Sequence, residues 1–111
     1  MRATRLLLVA PIAALSLWLP PSAAAGAPRT PFEVVDKMKF GPDPHDVKAG
    51  DTIVWDNRDM FRHTATAANG AFNVDLPAGA KGKTVMRRAG RIPFTCKYHP
   101  GMRGTLEVKG R

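Results

Sequence analysis

One cysteine, Cys96, is all that a chain of 111 residues contains. No internal disulfide can form, so a small domain must find its extra stability elsewhere. Carboxylates are scarce, nine against seventeen lysines and arginines, and the formal charge is +8. No stretch outside the N-terminal segment keeps a helical hydrophobic period over three turns, which excludes a helical bundle. No nucleic-acid-binding motif accompanies the positive charge, and nucleic acid is set aside as a partner.

The one long apolar run lies at the start. Arg2 and Arg5 precede Leu6 to Leu19, which is apolar apart from Ser16, and Pro20-Pro21 ends it. The run is shorter than the roughly 20 residues of a membrane-spanning helix. Small residues from Ser22 to Ala27 follow, as a signal-peptidase site requires. Residues 1–25 are therefore expected to be a secretory signal peptide cleaved after Ala25, leaving no membrane span. With no adjacent Arg-Arg pair, general secretion is favoured over the twin-arginine route. Residues 26–31 read as a flexible lead-in, and 32–111 as one domain.

The 86 residues left of 111 are few for an independent fold; a domain of that size buries only about 60% of its unfolded surface. Charge is uneven within them. Residues 26–79 carry six basic and eight acidic side chains, whereas residues 80–111 carry nine basic ones against Glu107 alone. Anionic lipid or an acidic protein face could take such a surface, and an acidic protein partner, or simply a solvated basic face, is the favoured reading.

Short β-rich segments punctuated by Gly, Pro and Asn fill the domain. Strands are expected over 32–39, 45–48, 52–57, 62–67, 82–88, 91–96 and 104–109, with 71–82 mostly loop. Thr52 to Asn57 is the clearest, with Ile53 and Trp55 on one face by the two-residue period. Pro93 lies inside a strand although proline cannot donate to a ladder, so it should sit at a free edge or a bulge. The whole implies an all-β sandwich of about eight strands.

Chemistry concentrates in Phe94-Thr-Cys-Lys-Tyr-His-Pro-Gly-Met102. Cys96, His99 and Met102 lie three residues apart on one turn. A thiolate, an imidazole and a thioether suit copper, which accepts sulfur in both oxidation states, and not a hard cation. Structural zinc sites usually take more thiolates. A second imidazole would complete a His-His-Cys plane with a weak axial Met, and His63 is its source. Metal ligation also explains why a lone thiol is tolerated in an oxidising compartment. Catalysis by Cys96 as nucleophile is disfavoured: His99 follows too closely on the turn to serve as base, and no third orienting group is evident. The chain is not expected to be an enzyme.

Val47-x-x-Gly50-Asp51-Thr52-x-x-Trp55-x-Asn57-Arg58, then His63, then Cys96-x-x-His99-Pro100-x-Met102-Arg103-Gly104, resembles the cupredoxins, the small blue-copper proteins of the plastocyanin and pseudoazurin group. The two residues between His99 and Met102 match the short ligand loop of the amicyanin branch. The resemblance implies a Greek-key sandwich with one type 1 copper, His63, Cys96 and His99 equatorial and Met102 axial. It further implies a periplasmic, monomeric electron carrier whose partner is an acidic redox protein, such as a c-type cytochrome or a periplasmic dehydrogenase. The alternative is a copper carrier or resistance protein that uses the same site to deliver the ion. Three departures stand out: Thr64 replaces the family's Asn after the first ligand, Arg62 a proline before it, and Gly101 a bulky residue beside Met102.

Overall fold

A computed structural model describes residues 2–18 and 26–111 of the chain. The expected cleavage point after Ala25 and the Pro20-Pro21 stop lie outside the described residues. Residues 2–18 form no helix or strand and are exposed. Among the described residues no helix is long and apolar enough to cross a membrane.

Nine strands build the domain: β1 (Phe32–Asp36), β2 (Lys39–Phe40), β3 (Val47–Lys48), β4 (Thr52–Asn57), β5 (His63–Ala67), β6 (Asn73–Leu76), β7 (Lys81–Val85), β8 (Gly90–Thr95) and β9 (Arg103–Lys109). They form two sheets, ordered β2-β1-β4-β7 and β3-β9-β8-β5-β6. Both are mixed: β1 runs parallel to β4 and β3 parallel to β9, and the other pairings are antiparallel. The all-β sandwich expected from the sequence is what the chain adopts. Among the described residues, all nine strands and the apolar core lie between residues 32 and 109.

Alternation along the strands makes the core. Ile53 and Trp55 of β4 are fully buried and face Phe94 of β8 and Leu106 of β9, equally buried. Trp55 meets Phe94 edge-on at 5.1 Å, and Phe40 and Phe72 complete an aromatic cluster around that pair. Edge-to-face contacts of this kind add to the burial of the rings themselves.

Three segments differ from the sequence expectation. The first strand is broken at Lys37 and Met38, whose φ angles of 52° and 61° make a two-residue hairpin turn between β1 and β2. That conformation is unusual for residues with a Cβ, and hydrogen bonds hold it: Lys37 N–H donates to its neighbour Asp36, and Met38 N–H to Asp59. The stretch 71–82, expected to be mostly loop, contains β6 and the start of β7. Tertiary pairing of β6 with β5 overrides the weak propensity of Asn73-Val74-Asp75-Leu76. Strand β7 begins at Lys81 and stops at Val85, three residues short of the expected end.

Pro93 is accommodated at the end of a ladder. Opposite Thr105 of β9 it needs no donor, since the Thr105 N–H turns away to Asp43. Toward β5 the regular register ends at Ala67 opposite Phe94. The next bond is Ala68 N–H to the Pro93 carbonyl, a step at which proline accepts and has nothing to donate.

Candidate metal centre

Cys96 and His99 of the turn and His63 of β5 meet at one end of the sandwich. Strand β8 delivers Cys96 at its end, and β9 starts immediately after Met102. Two backbone bonds close the turn between them: Cys96 N–H to the Met102 carbonyl and Met102 N–H to the His99 carbonyl, at 3.2 and 2.9 Å. His63 opens β5, a neighbour of β8, and so arrives beside the thiol from across the sheet.

Their separations are those of ligands around one ion. His63 Nδ1 is 3.2 Å from His99 Nδ1, and the Cys96 Sγ lies 3.9 and 3.7 Å from these two nitrogens. A trigonal arrangement at first-row bond lengths, about 2.0–2.1 Å to nitrogen and about 2.3 Å to sulfur, requires about 3.5 Å between nitrogens and about 3.8 Å from sulfur to nitrogen. The three donors therefore fit a trigonal metal without moving far. His63, Cys96 and His99 are the group of metal-capable side chains that converges among the described residues. Met102 is 5% exposed and packs in the same buried cluster as Cys96, consistent with a neighbouring thioether. His63 and Cys96 are buried, whereas His99 is half-buried and faces the surface.

Which nitrogen His63 offers is set from behind. Its Nε2 lies 2.9 Å from Asp59 Oδ2. Asp59 also accepts the backbone N–H groups of Met38 and Met60. The bond from His63, followed by the Met38 N–H, holds the Asp59 carboxyl below its ordinary range, so it is ionised and can only accept. His63 Nε2 must then carry the proton, which leaves Nδ1 with a free lone pair toward Cys96. A carboxylate behind a ligating histidine fixes both ring orientation and tautomer.

Asn57 shapes the loop that presents Asp59. Its side-chain amide donates to the carbonyls of Phe61, Leu76 and Pro77, and its oxygen accepts the Asp59 N–H. Asn57 is wholly buried, so these bonds replace water that cannot reach it. The family pattern named Asn57 without explaining it; the structure gives its task.

Thr64, the departure after the first ligand, braces the turn in its own way. Its N–H points at Cys96 Sγ from 3.4 Å, and its hydroxyl accepts the Lys97 N–H at 2.9 Å. A second bond, at 2.9 Å, ties that hydroxyl to Thr66.

The residues expected from the sequence to rim His99 are exposed or paired. Met60, Phe61 and Tyr98 are 78, 49 and 56% exposed. Arg58 pairs with Asp56 at 2.9 Å and Arg62 with Asp75 at 3.5 Å, so two of the rim's cations are already matched. His45, read as a surface residue, lies exposed near Asp46, far along the chain from this cluster.

Of the four residues named from the sequence, the structure brings His63, Cys96 and His99 together, and beside them it places Asp59, which the sequence did not single out. The only trace of Asp59 is a carboxylate four residues before a histidine. In a helix that spacing would carry meaning; in a loop it does not.

Comparison with known proteins agrees with this geometry. The Cupredoxin-like domain model matches residues 8–108. Amicyanin of Paracoccus versutus is 29% identical over 96 residues, covering 80% of this chain and 73% of the relative. Amicyanin of Paracoccus denitrificans is 31% identical over 93 residues, covering 68% of this chain and 64% of the relative. The structure of the Cu(I) form of an amicyanin variant superposes with a TM-score of 0.63 at 30% identity, over 78% of this chain and 89% of the other. A purple cupredoxin from Nitrosopumilus maritimus shares the fold at 21% identity and a TM-score of 0.63, over 71% of this chain and 99% of its own. Amicyanin-like cupredoxins are electron carriers and not enzymes. The chain belongs to the cupredoxin family, with amicyanins among its relatives and one type 1 copper as its cofactor.

Proposed function

We propose that this chain is an exported, periplasmic blue-copper electron carrier in which His63, Cys96 and His99 are the equatorial ligands and Met102 the axial one. One observation carries the reading: three donors spaced 3.2–3.9 Å apart, two of them buried, at the end of a bonded β-framework. Copper, when bound, supplies the one-electron Cu(I)/Cu(II) couple. The residues supply constancy of geometry. The turn from Cys96 to Met102 holds three donors on one closed backbone loop, and Asp59 and Asn57 hold the fourth. Because neither side can relax independently, the same positions serve both oxidation states, and little reorganisation accompanies transfer. His99, the half-buried ligand, is the exit for the electron, and Met60, Phe61 and Pro100 form its contact rim.

Residues 1–25 act in this reading as a secretory signal peptide, and the mature domain works as a monomer. The partner is a redox protein with an acidic face, a c-type cytochrome or a periplasmic dehydrogenase. Lys97 and Arg103 at the rim would steer it, so the association rate falls as salt rises.

Loading the purified domain with Cu(II) and cycling it with ascorbate and an oxidant tests the function. Intense visible colour should bleach and return with the metal retained. Loss of copper to a weak competitor within a few cycles would instead mark a protein that delivers the ion. Cys96→Ser should remove the colour and leave a folded domain; a blue band that survives the change refutes the ligand assignment.

A further inference from the structure

We propose that the pole opposite the metal centre is a docking face for the anionic head groups of a lipid bilayer. Strands β5 and β8 carry His63 and Cys96 at one end of the sandwich, and their other ends lie at the turns 68–72 and 86–90. Between these turns is an open cleft of about 350 Å³, floored by Val85, Met86 and Ile92 and rimmed by Arg87, Arg88 and Arg91. Val85 is 46% exposed, so an apolar side chain stands among three guanidinium groups. Cationic side chains around an exposed apolar one are the chemistry of an interfacial membrane contact.

Pairing distinguishes the arginines of the cleft from Arg58 and Arg62. At the metal end Arg58 and Arg62 have carboxylate partners. Arg87 and Arg88 have none among the described residues, and Arg91 has only an exposed contact to Glu107 at 3.6 Å. Lys48 and Lys109 end the paired strands β3 and β9 at this same pole, and of the two Lys109 pairs with Asp46 at 3.2 Å. A pole with unmatched cations calls for an anionic surface outside the protein.

The exposed Val85 among the guanidinium groups selects a membrane as that surface, and the path of the chain agrees with it. The Arg29 carbonyl accepts the Thr52 N–H, and the Arg29 N–H donates to Asp51. Asp51 in turn accepts the Met86 N–H, one residue before Arg87. The segment that follows the apolar leader thus enters the domain beside the cleft, at the pole that carries the unmatched arginines. A bilayer met by this face leaves His99 turned toward solution. The inference does not depend on the metal chemistry.

Sedimentation of the domain from Gly26 onward with vesicles tests it. The protein should bind phosphatidylglycerol vesicles and ignore phosphatidylcholine ones, with binding lost as salt rises. Each guanidinium near such a surface contributes about fivefold to partitioning, so Arg87→Gln with Arg88→Gln and Arg91→Gln should lower it about a hundredfold. The three Arg→Lys changes should keep it. Lys37→Gln with Lys39→Gln, at the metal end, should lower it less than about threefold. Far-ultraviolet circular dichroism checks that each variant is folded. Equal binding to neutral vesicles, or no loss in the triple glutamine variant, overturns the proposal. Retention on immobilised polyglutamate without vesicle binding also overturns it, in favour of an acidic protein.

Discussion

At His63 the decisive partner is Asp59, which takes the proton-bearing Nε2 and turns Nδ1 toward the thiol. Asp59→Ala should weaken copper binding about 10–100-fold while Asp59→Asn, which keeps a hydrogen-bonding oxygen, should lose less. Competition with a chelator of known affinity measures both. Glu33 is a different case, remote from the chemistry. It is fully buried on β1, and neither carboxyl oxygen has a partner. Burial, followed by the negative charge of Asp43, pushes its pKa up to about 9 from 4.5. Between those values the unfolded chain has released this proton and the native chain keeps it. Stability should therefore be full below about pH 4.5 and fall by about 1.4 kcal/mol per pH unit on the way to about 9. Urea unfolding at pH 6 and pH 8 reads that slope, and Glu33→Gln should flatten it. A slope unchanged by the substitution would place the cause elsewhere.

Among the elements, β8 and β9 carry the greatest demand, because the ligand turn joins them. They approach so closely at Gly104 that a Cβ there would lie 2.2 Å from Phe94 Cζ and 2.9 Å from Asp43 Oδ1. Phe94 is locked in the aromatic cluster and cannot yield. Gly104→Ala should cost about 1–3 kcal/mol of stability by overpacking, read by urea unfolding. Since Gly104 is two residues beyond Met102, the same variant should also shift the visible spectrum of the copper-loaded protein. Strand β4 was legible because its apolar residues alternate, and β8 because Ile92, Phe94 and Cys96 share a face. Strand β6 was not. Four residues with one buried side chain, Leu76, make a strand only because β5 offers a ladder for them to join. The hairpin at Lys37-Met38 was equally hidden, since its turn is held by Asp59, twenty-one residues away.

For the molecule as a whole, metal and fold are coupled. The ligands come from two places on the chain, so the ion closes a long loop and binds the native state alone. Copper in large excess over its dissociation constant should raise the melting temperature by more than about 10 °C, whereas Cys96→Ser should gain far less. Differential scanning calorimetry with and without the metal makes the comparison. The residue types and spacings along the chain determined the sandwich and named the candidate donors, because strand alternation and the spacing from Cys96 to Met102 are local properties that survive without a structure. The tertiary structure alone decided the rest: that Asp59 sets the His63 tautomer, that Thr64 braces the thiol, that Glu33 is buried and that Arg87, Arg88 and Arg91 gather around one cleft. Those facts depend on distances between residues far apart in the chain, and only the packing of one sheet on the other fixes such distances.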